Sequence, residues 1–435
     1  MEKVLPKGWV ETELGSVSEI VTGNTPSKSV TEYYGDDILW VKPGDFHGQK
    51  IIFKTEEKLS ELGFQKSRKV PAGSILVTCI GNLGNISMAS EDLATNQQIN
   101  SIVIPHDKLS RKYIYYYSLT LKKWLIDNST STTISMVNKS VFEKAPVVFP
   151  PLAEQERIVT KLDKLFAQHE KIKAALDRIP QLLKDFRQQV LTQAVTGKLT
   201  EEWREGKDLE EWTTPMLKDV CFGFKYGSSS KSDDEGNVAV LRMGNLQNGK
   251  LDLSDLKYSN NMAEIQKYFL ESGDVLFNRT NSPELVGKTS IYKGEIPAIY
   301  AGYLIKIEND RTILDSDYLN FYMNTPQVRT WCNEVKSDGV SQSNINAKKL
   351  ADLEIPLPTL REQQEIVRRV ESLFAKADAI EAHYQALKEK IDSLPQAFLH
   401  KAFKGELVPQ LPTDGDAKDL LAEIIALKNE SKKRK

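Results

Sequence analysis

A chain of 435 residues with 40% hydrophobic and 27% charged side chains has the makeup of an ordinary soluble protein of two or three domains. Its net charge of −2 argues against a stand-alone nucleic-acid binder, and no apolar run approaches the length of a membrane span or a signal-peptide core. Cys79, Cys221 and Cys332 have neither disulfide-framework nor metal-ligand spacing, so the composition points to a cytoplasmic protein with reduced thiols and no membrane partner.

Residues 1–149 read as a first α+β domain. Short β-type runs ("SILVTCI", "SIVIP") alternate with Gly/Asn/Ser loops, and "RKYIYYYSLTLKKWLI" has a helical pattern whose tyrosines suit a core better than a stacking platform. Residues 150–199 open with "PPLAEQERIV" and continue as a helix. Its stripe of Ile158, Leu162, Leu165, His169, Ile172, Leu176, Ile179, Leu183, Phe186 and Val190 follows the alternating four-three spacing of a coiled-coil seam. Pro180 falls inside that stripe and should kink or interrupt it, while Gly197 stands where a C-terminal cap belongs.

Residues 200–357 read as a linker and a second α+β domain echoing the first. "LESGDVLFN" answers "VPAGSILVT", "VLRMGNL" answers "LWVKPGDF", and Asn346 answers Asn138 before each Pro-rich exit. Apolar strand positions are shared and the loops differ, as when a scaffold is kept and its binding loops vary. Residues 358–407 then repeat 150–199: "PTLREQQEIV" begins 208 residues after "PPLAEQERIV", and 16 of the 50 aligned positions are identical. The second stripe of Ile366, Val370, Leu373, Ala377, Ile380, Tyr384, Leu387, Ile391, Leu394 and Phe398 keeps the same spacing, with Pro395 at a non-equivalent place. Two such helices in one chain can satisfy each other by pairing antiparallel. Residues 408–435 form a C-terminal tail whose basic end, "KNESKKRK", has the composition of a solvated, disordered segment. The fold class is therefore α+β: two globular domains separated by two long antiparallel coiled-coil helices, in a pseudo-twofold internal repeat.

Catalytic constellations are missing from the sequence. "ELVGKTS" has Ser282 where the first glycine of a phosphate-binding loop belongs, and "FPPL" lacks the first residue of an amino-methyltransferase motif. The five histidines share no metal spacing. This leaves a binding or scaffolding protein, the alternative to DNA readout being a coiled-coil scaffold that joins two ligand-binding domains.

The order of domain, "PPLAEQERIVTKLDKLFAQHEKI", domain, "PTLREQQEIVRRVESLFAKADAIE", with Ala-x-x-Gly-x-Leu closing each helix, resembles the specificity subunits of type I restriction–modification enzymes over essentially the whole chain. That resemblance implies two target recognition domains, each reading one half of a bipartite DNA sequence, with the paired helices setting the unread gap. It also implies partners: double-stranded DNA, two modification (M) subunits that bind S-adenosylmethionine and methylate adenine N6, and restriction (R) subunits that use ATP and Mg2+. This chain itself would hold no cofactor and no metal and would catalyse nothing. Ile158, Leu162, Leu165 and Phe166 in the first helix, and Ile366, Val370, Leu373 and Phe374 in the second, would serve as spacer and M-docking positions.

Base readout calls for forked donors or amides. In the second domain Arg242, Asn278, Arg279, Asn281, Ser282, Gln342 and Asn344 lie beside strand ends, Arg242 and Arg279 being the better candidates. In the first, Lys42, Asn82, Asn85 and Thr132 occupy the matching places, and the Gly/Ser-type loops carrying Lys28 and Lys231 suit phosphate contact.

Overall fold

The computed structural model describes residues 5–130 and 134–434. They divide into two units: unit 1 runs to Ala175 and resumes at Leu387, and unit 2 is Leu176–Ala386.

Unit 1 holds two five-stranded sheets. One has the spatial order Glu19–Thr22, Ile99–Val103, Ile75–Thr78, Ile86–Ala89, Ile51–Ile52; the other has Tyr34–Gly35, Lys58–Leu59, Ile38–Val41, Leu93–Thr95, Lys69–Val70. β-Branched runs such as "ILVT" at Ile75–Thr78 are buried throughout, as expected of strands covered on both faces. Unit 2 repeats the plan in shorter form. A four-stranded sheet (Cys221–Tyr226, Leu304–Asn309, Val275–Asn278, Thr289–Ile291) accompanies a three-stranded one (Lys257–Ser259, Val238–Leu241, Ala298–Tyr300). Each unit contains the same parallel pair: Trp40 lies opposite Ala94 in unit 1, and Val240 opposite Ile299 in unit 2. The aromatic run is core, with Tyr113 through Tyr117 all buried. Asn138 and Asn346 are equivalent N-caps, their side-chain oxygens each accepting a backbone N–H three residues on, at 2.9 Å.

Helices Leu152–Leu176 and Ile179–Val195 occupy the first repeat, and Leu360–Phe403, 44 residues long, occupies the second. In unit 1 the 152–176 helix pairs with the segment after Leu387. Phe166 meets Phe398, and Lys173 meets Asp392 at 3.7 Å, so one number rises as the other falls and the pair is antiparallel. In unit 2, Arg187 bonds Asp378 and Glu381 at 2.8 Å, and Arg369 donates to the Leu199 carbonyl at 3.0 Å, again antiparallel. The seam is only partly covered: Ile172, Phe186, Ile380 and Leu387 remain exposed.

The two prolines act differently. Pro180 stands in the first turn of its helix, where a missing N–H costs nothing, and the first repeat breaks just before it. Pro395 lies inside an uninterrupted helix. Its missing N–H would have served the Ile391 carbonyl four residues back, and that oxygen accepts from His169 Nε2 at 2.9 Å instead. The histidine that broke the apolar series thus supplies the donor its partner helix lacks.

The repeated decapeptide forms a joint. Glu154, Gln155, Glu362 and Gln363 are at most 1% exposed. Gln155 accepts from the Ser110 N–H at 3.0 Å and donates to the Pro150 carbonyl, while Gln363 accepts from the Asp315 N–H at 2.8 Å and donates to the Pro358 carbonyl. Glu154 accepts from the Trp9 indole at 3.2 Å; Glu362 accepts from the Trp212 indole at 3.0 Å and the Thr200 hydroxyl at 2.6 Å. Burial raises the Glu154 carboxyl above its ordinary value, against the indole bond. The bonds to Trp9 and Ser110, and to Trp212 and Asp315, tie each helix start to the rest of its own unit.

Two expectations are corrected here. The supposed solvated tail contains the helix Ala417–Arg434, whose Ala417 and Ile424 are buried in the core of unit 1, and Lys428 donates to the carbonyls of Gly15 and Ser18. Its apolar face outweighs the basic composition of its end. Ile158, Leu162, Ile366 and Val370 are wholly buried in the cores of their own units, so no docking partner can reach them. Phe166 stacks on Tyr116, Phe374 packs on Phe321, and Leu165 and Leu373 are half-buried.

Candidate nucleic-acid interface

In each unit the sheets end in a cluster of loops built on one backbone scheme. A glycine is required where two strands cross closely: a Cβ on Gly23 would lie 2.1 Å from the Thr95 carbonyl oxygen, and one on Gly227 would lie 2.3 Å from that of Tyr300. The next residue then donates to the same carbonyl, Asn24 to Thr95 at 2.9 Å and Ser228 to Tyr300 at 2.8 Å. From the parallel pair, the Asn96 N–H reaches the Val41 carbonyl at 3.0 Å, and the Ala301 N–H reaches that of Leu241 at 2.9 Å.

The strand carrying the central loop obeys the same equivalence. Cys79 donates to the Gln98 carbonyl and accepts from the Val137 N–H, both at 2.8 Å; Arg279 donates to the Tyr303 carbonyl and accepts from the Ile345 N–H, both at 2.9 Å. In unit 2 the loop then forms a small three-stranded sheet, with Thr280–Asn281 beside Ser343–Asn344 and that beside Ser337–Asp338. In unit 1 the matching loops meet through bridges from Met136 to Ile80 and Thr130.

On this shared scaffold the side chains differ. The loop clusters of units 1 and 2 form heads 1 and 2, and head 2 presents Arg279 over the Tyr226 ring, with the guanidinium carbon 4.6 Å from the ring centroid. Asn344 donates to the Thr280 hydroxyl at 2.7 Å, the Asn281 amide oxygen accepts from the Ser282 N–H, and Gln342 is exposed. Arg242 leaves the end of the parallel pair but is bound to Asp255 at 2.9 Å. Head 1 presents amides and hydroxyls: Thr25 donates to Gln97 at 2.5 Å, and Asn96 donates to Gln98 at 2.9 Å. Lys42 is held by Glu57 at 2.6 Å and Glu56 at 3.6 Å, and these bonds raise its ammonium above its ordinary value against the cost of burial. Asn82 and Asn85 offer their backbones to Thr78, whose hydroxyl donates to the Asn82 carbonyl and accepts from the Asn85 N–H. Lys28 and Lys231 are exposed. Thr132 lies outside the described residues.

One proposed reader is corrected. Asn278 is fully buried, its backbone tied to Gly287 and Lys288, and neither end of its amide has a partner among the described residues. It continues the buried alternation of its strand and does not reach the surface. Thr25 and Tyr226 open the two loops whose sequence suits phosphate contact, whereas Gln97 and Gln98 are functional candidates that the sequence reading passes over. The amide run "TNQQ", coming directly after a β-type run, was the available signal for the last two. Catalytic chemistry is not in evidence at the cysteines: burial pushes the thiols of Cys79, Cys221 and Cys332 up to about 12, so none is a ready thiolate. Among the described residues no His, Cys, Asp or Glu group is clustered to hold a metal, and no helix is long and apolar enough to cross a membrane.

One framework used twice, each copy ending in a polar head of different chemistry and each locked to a helical repeat, defines a two-headed recognition protein. The chain belongs to the family of the type I restriction modification DNA specificity domain, which it matches twice, over residues 6–181 and 209–389. It is 30% identical over 371 residues to the type I restriction enzyme EcoBI specificity subunit of Escherichia coli, covering 79% of this chain and 77% of that protein. Against the EcoKI specificity subunit of Escherichia coli K12 it is 29% identical over 426 residues, 93% of this chain and 90% of the other. In fold it is similar to a chain from a structure of type I R-M complex assembly and conformational transition (TM-score 0.69, 19% identity, 93% of this chain, all of that one). It is similar likewise to the crystal structure of the HsdS subunit from Thermoanaerobacter tengcongensis (TM-score 0.61, 19% identity, 93% of this chain, 99% of that one).

Proposed function

We propose that this chain is the DNA sequence-specificity subunit of a type I restriction–modification enzyme, each head reading one half of a bipartite, asymmetric target in double-stranded DNA. The observation that carries this reading is the pair of heads: one backbone scheme, with the same bonds at Cys79 and Arg279, fitted with different side chains. Two identical heads would read a symmetric target. Two heads that share a backbone and differ in side chains read two different half-sites. The paired helices set the unread gap between them.

Two M subunits, carrying S-adenosylmethionine, dock on the helical repeats and methylate adenine N6; R subunits, using ATP and Mg2+, join them for restriction. Exposed Ile172, Phe186, Ile380 and Leu387 are better placed for such docking than the buried seam positions. The chain itself is a non-catalytic, cytoplasmic component. A net charge of −2 fits shared duty, because phosphate neutralisation falls partly to the M subunits.

The test is to map N6-methyladenine left by the chain assembled with its M subunits on genomic DNA. The expected result is one bipartite sequence with a fixed gap, methylated on both strands. A contiguous motif, or methylation indifferent to sequence, counts against the proposal, and the scaffold reading would then take its place.

A further inference from the structure

We infer that Arg279 reads a guanine in the second half-site, its guanidinium held on the face of Tyr226 to meet the O6 and N7 edge of the base in the major groove. The assignment rests on the chain being a DNA specificity subunit, and it names the base class and the side chain on which one head depends.

Position supplies the first argument. Arg279 and Cys79 occupy the same place in the two frameworks, each donating to the loop carbonyl from the parallel pair and accepting from the N–H just ahead of the exit helix. With the backbone shared, only the side chain can differentiate the heads there. Cys79 is 2% exposed and packs inward, whereas Arg279 is half-buried at a surface that also carries Tyr303, Gln342 and the fully exposed Val340.

Preorganisation supplies the second. The guanidinium lies over the Tyr226 ring, and that ring is fixed by its hydroxyl, which accepts the Ala347 N–H at 3.0 Å. Nη1 also touches the Gly302 carbonyl at 3.4 Å. Stacking sets the plane of the fork and so presents two donors at a fixed angle to the guanine edge, whereas a lysine ammonium is a flexible point charge without such a plane.

Free donor capacity supplies the third. Arg242 is neutralised by Asp255, Arg311 by Asp274, and Arg187 by Asp378 and Glu381. Arg279 has no carboxylate partner among the described residues, and its Nε is buried without one, so the charge and the outer fork remain for a ligand.

The experiment uses Arg279→Ala, Arg279→Gln and Arg279→Lys in the chain assembled with its M subunits, with target sequence read by selection from randomised duplexes at matched salt. Each variant is expected to bind the wild-type target roughly 5- to 150-fold more weakly. The Ala and Gln variants should also lose the preference for guanine at one position of the second half-site and the Lys variant should weaken it, leaving the first half-site and the gap unchanged. The assignment is overturned if the guanine preference survives in the Ala and Gln variants, or if the lost preference falls on an A·T pair. It is overturned as well if affinity falls equally for all sequences with a salt slope reduced by about one, the mark of a phosphate contact. If even Arg279→Lys, which keeps charge and stem, loses both half-sites, Arg279 is a structural residue and the assignment fails. A wild-type assembly that selects no bipartite sequence instead sinks the specificity-subunit reading itself.

Discussion

Asp163 shows how a single carboxylate can organise its surroundings. It accepts from Lys50 at 2.5 Å, Tyr116 at 2.5 Å and Lys112 at 3.0 Å, while Lys50 also lies over the Tyr116 ring. Burial disfavours its charge, but the three donors outweigh that and hold the carboxyl down at about 2. A folded value below the ordinary 3.8 means the cluster stabilises unit 1 above that pH and loses its contribution as pH falls from about 4 towards 2. Asp163→Asn is therefore expected to destabilise unit 1 by about 1–2 kcal/mol at pH 7 and to match the wild type near pH 2. Hydrogen exchange across Arg111–Ser118 measures it; a deficit independent of pH would assign the effect to packing. At the same scale, residue type alone does not decide a role. Arg242 and Arg279 both follow strand ends, yet one is ion-paired to Asp255 and the other stacked on Tyr226, and Asn278, one residue from Arg279, is buried.

Among the elements, the long helices carry the sharpest local compensation. Pro395 removes a donor from the 360–403 helix, and His169 of the antiparallel helix replaces it at the Ile391 carbonyl. The two sites should therefore be coupled. His169→Leu is expected to cost about 1–2 kcal/mol in the wild type and much less in a Pro395→Ala background, where the restored backbone N–H would take over the carbonyl. A double-mutant cycle on thermal or urea unfolding checks this, and additive effects would show that the histidine serves only the packing of the seam. The corresponding place in unit 2 has buried Ala377 and Leu183 and no interior proline, so no carbonyl there lacks its helical donor. This asymmetry is what the unmatched prolines of the two repeats mean physically.

For the molecule as a whole, each unit has its own core, and the joints at Glu154–Gln155 and Glu362–Gln363 tie each domain to the start of its helix. Specificity should then be modular. Replacing residues 217–353 with the matching segment of a relative that reads another target is expected to change the second half-site and leave the first intact, as methylation mapping would show. A change in both half-sites would mean that the heads are not independent readers. The sequence alone determined a good deal here. The duplication, the two helical repeats, the α+β class and the equivalence of Asn138 with Asn346 all follow from periodicity and spacing, which are local properties of a chain. Other features depended on contacts between residues far apart in sequence. The role of the decapeptide as a buried joint, the histidine that answers a proline 226 positions away, and the folding of the basic tail onto Gly15 and Ser18 belong to this group. So does the separation of a free arginine from a neutralised one. Whether a polar side chain is buried, paired or offered to a ligand depends on which distant atoms the fold brings beside it, and only the tertiary structure decided that.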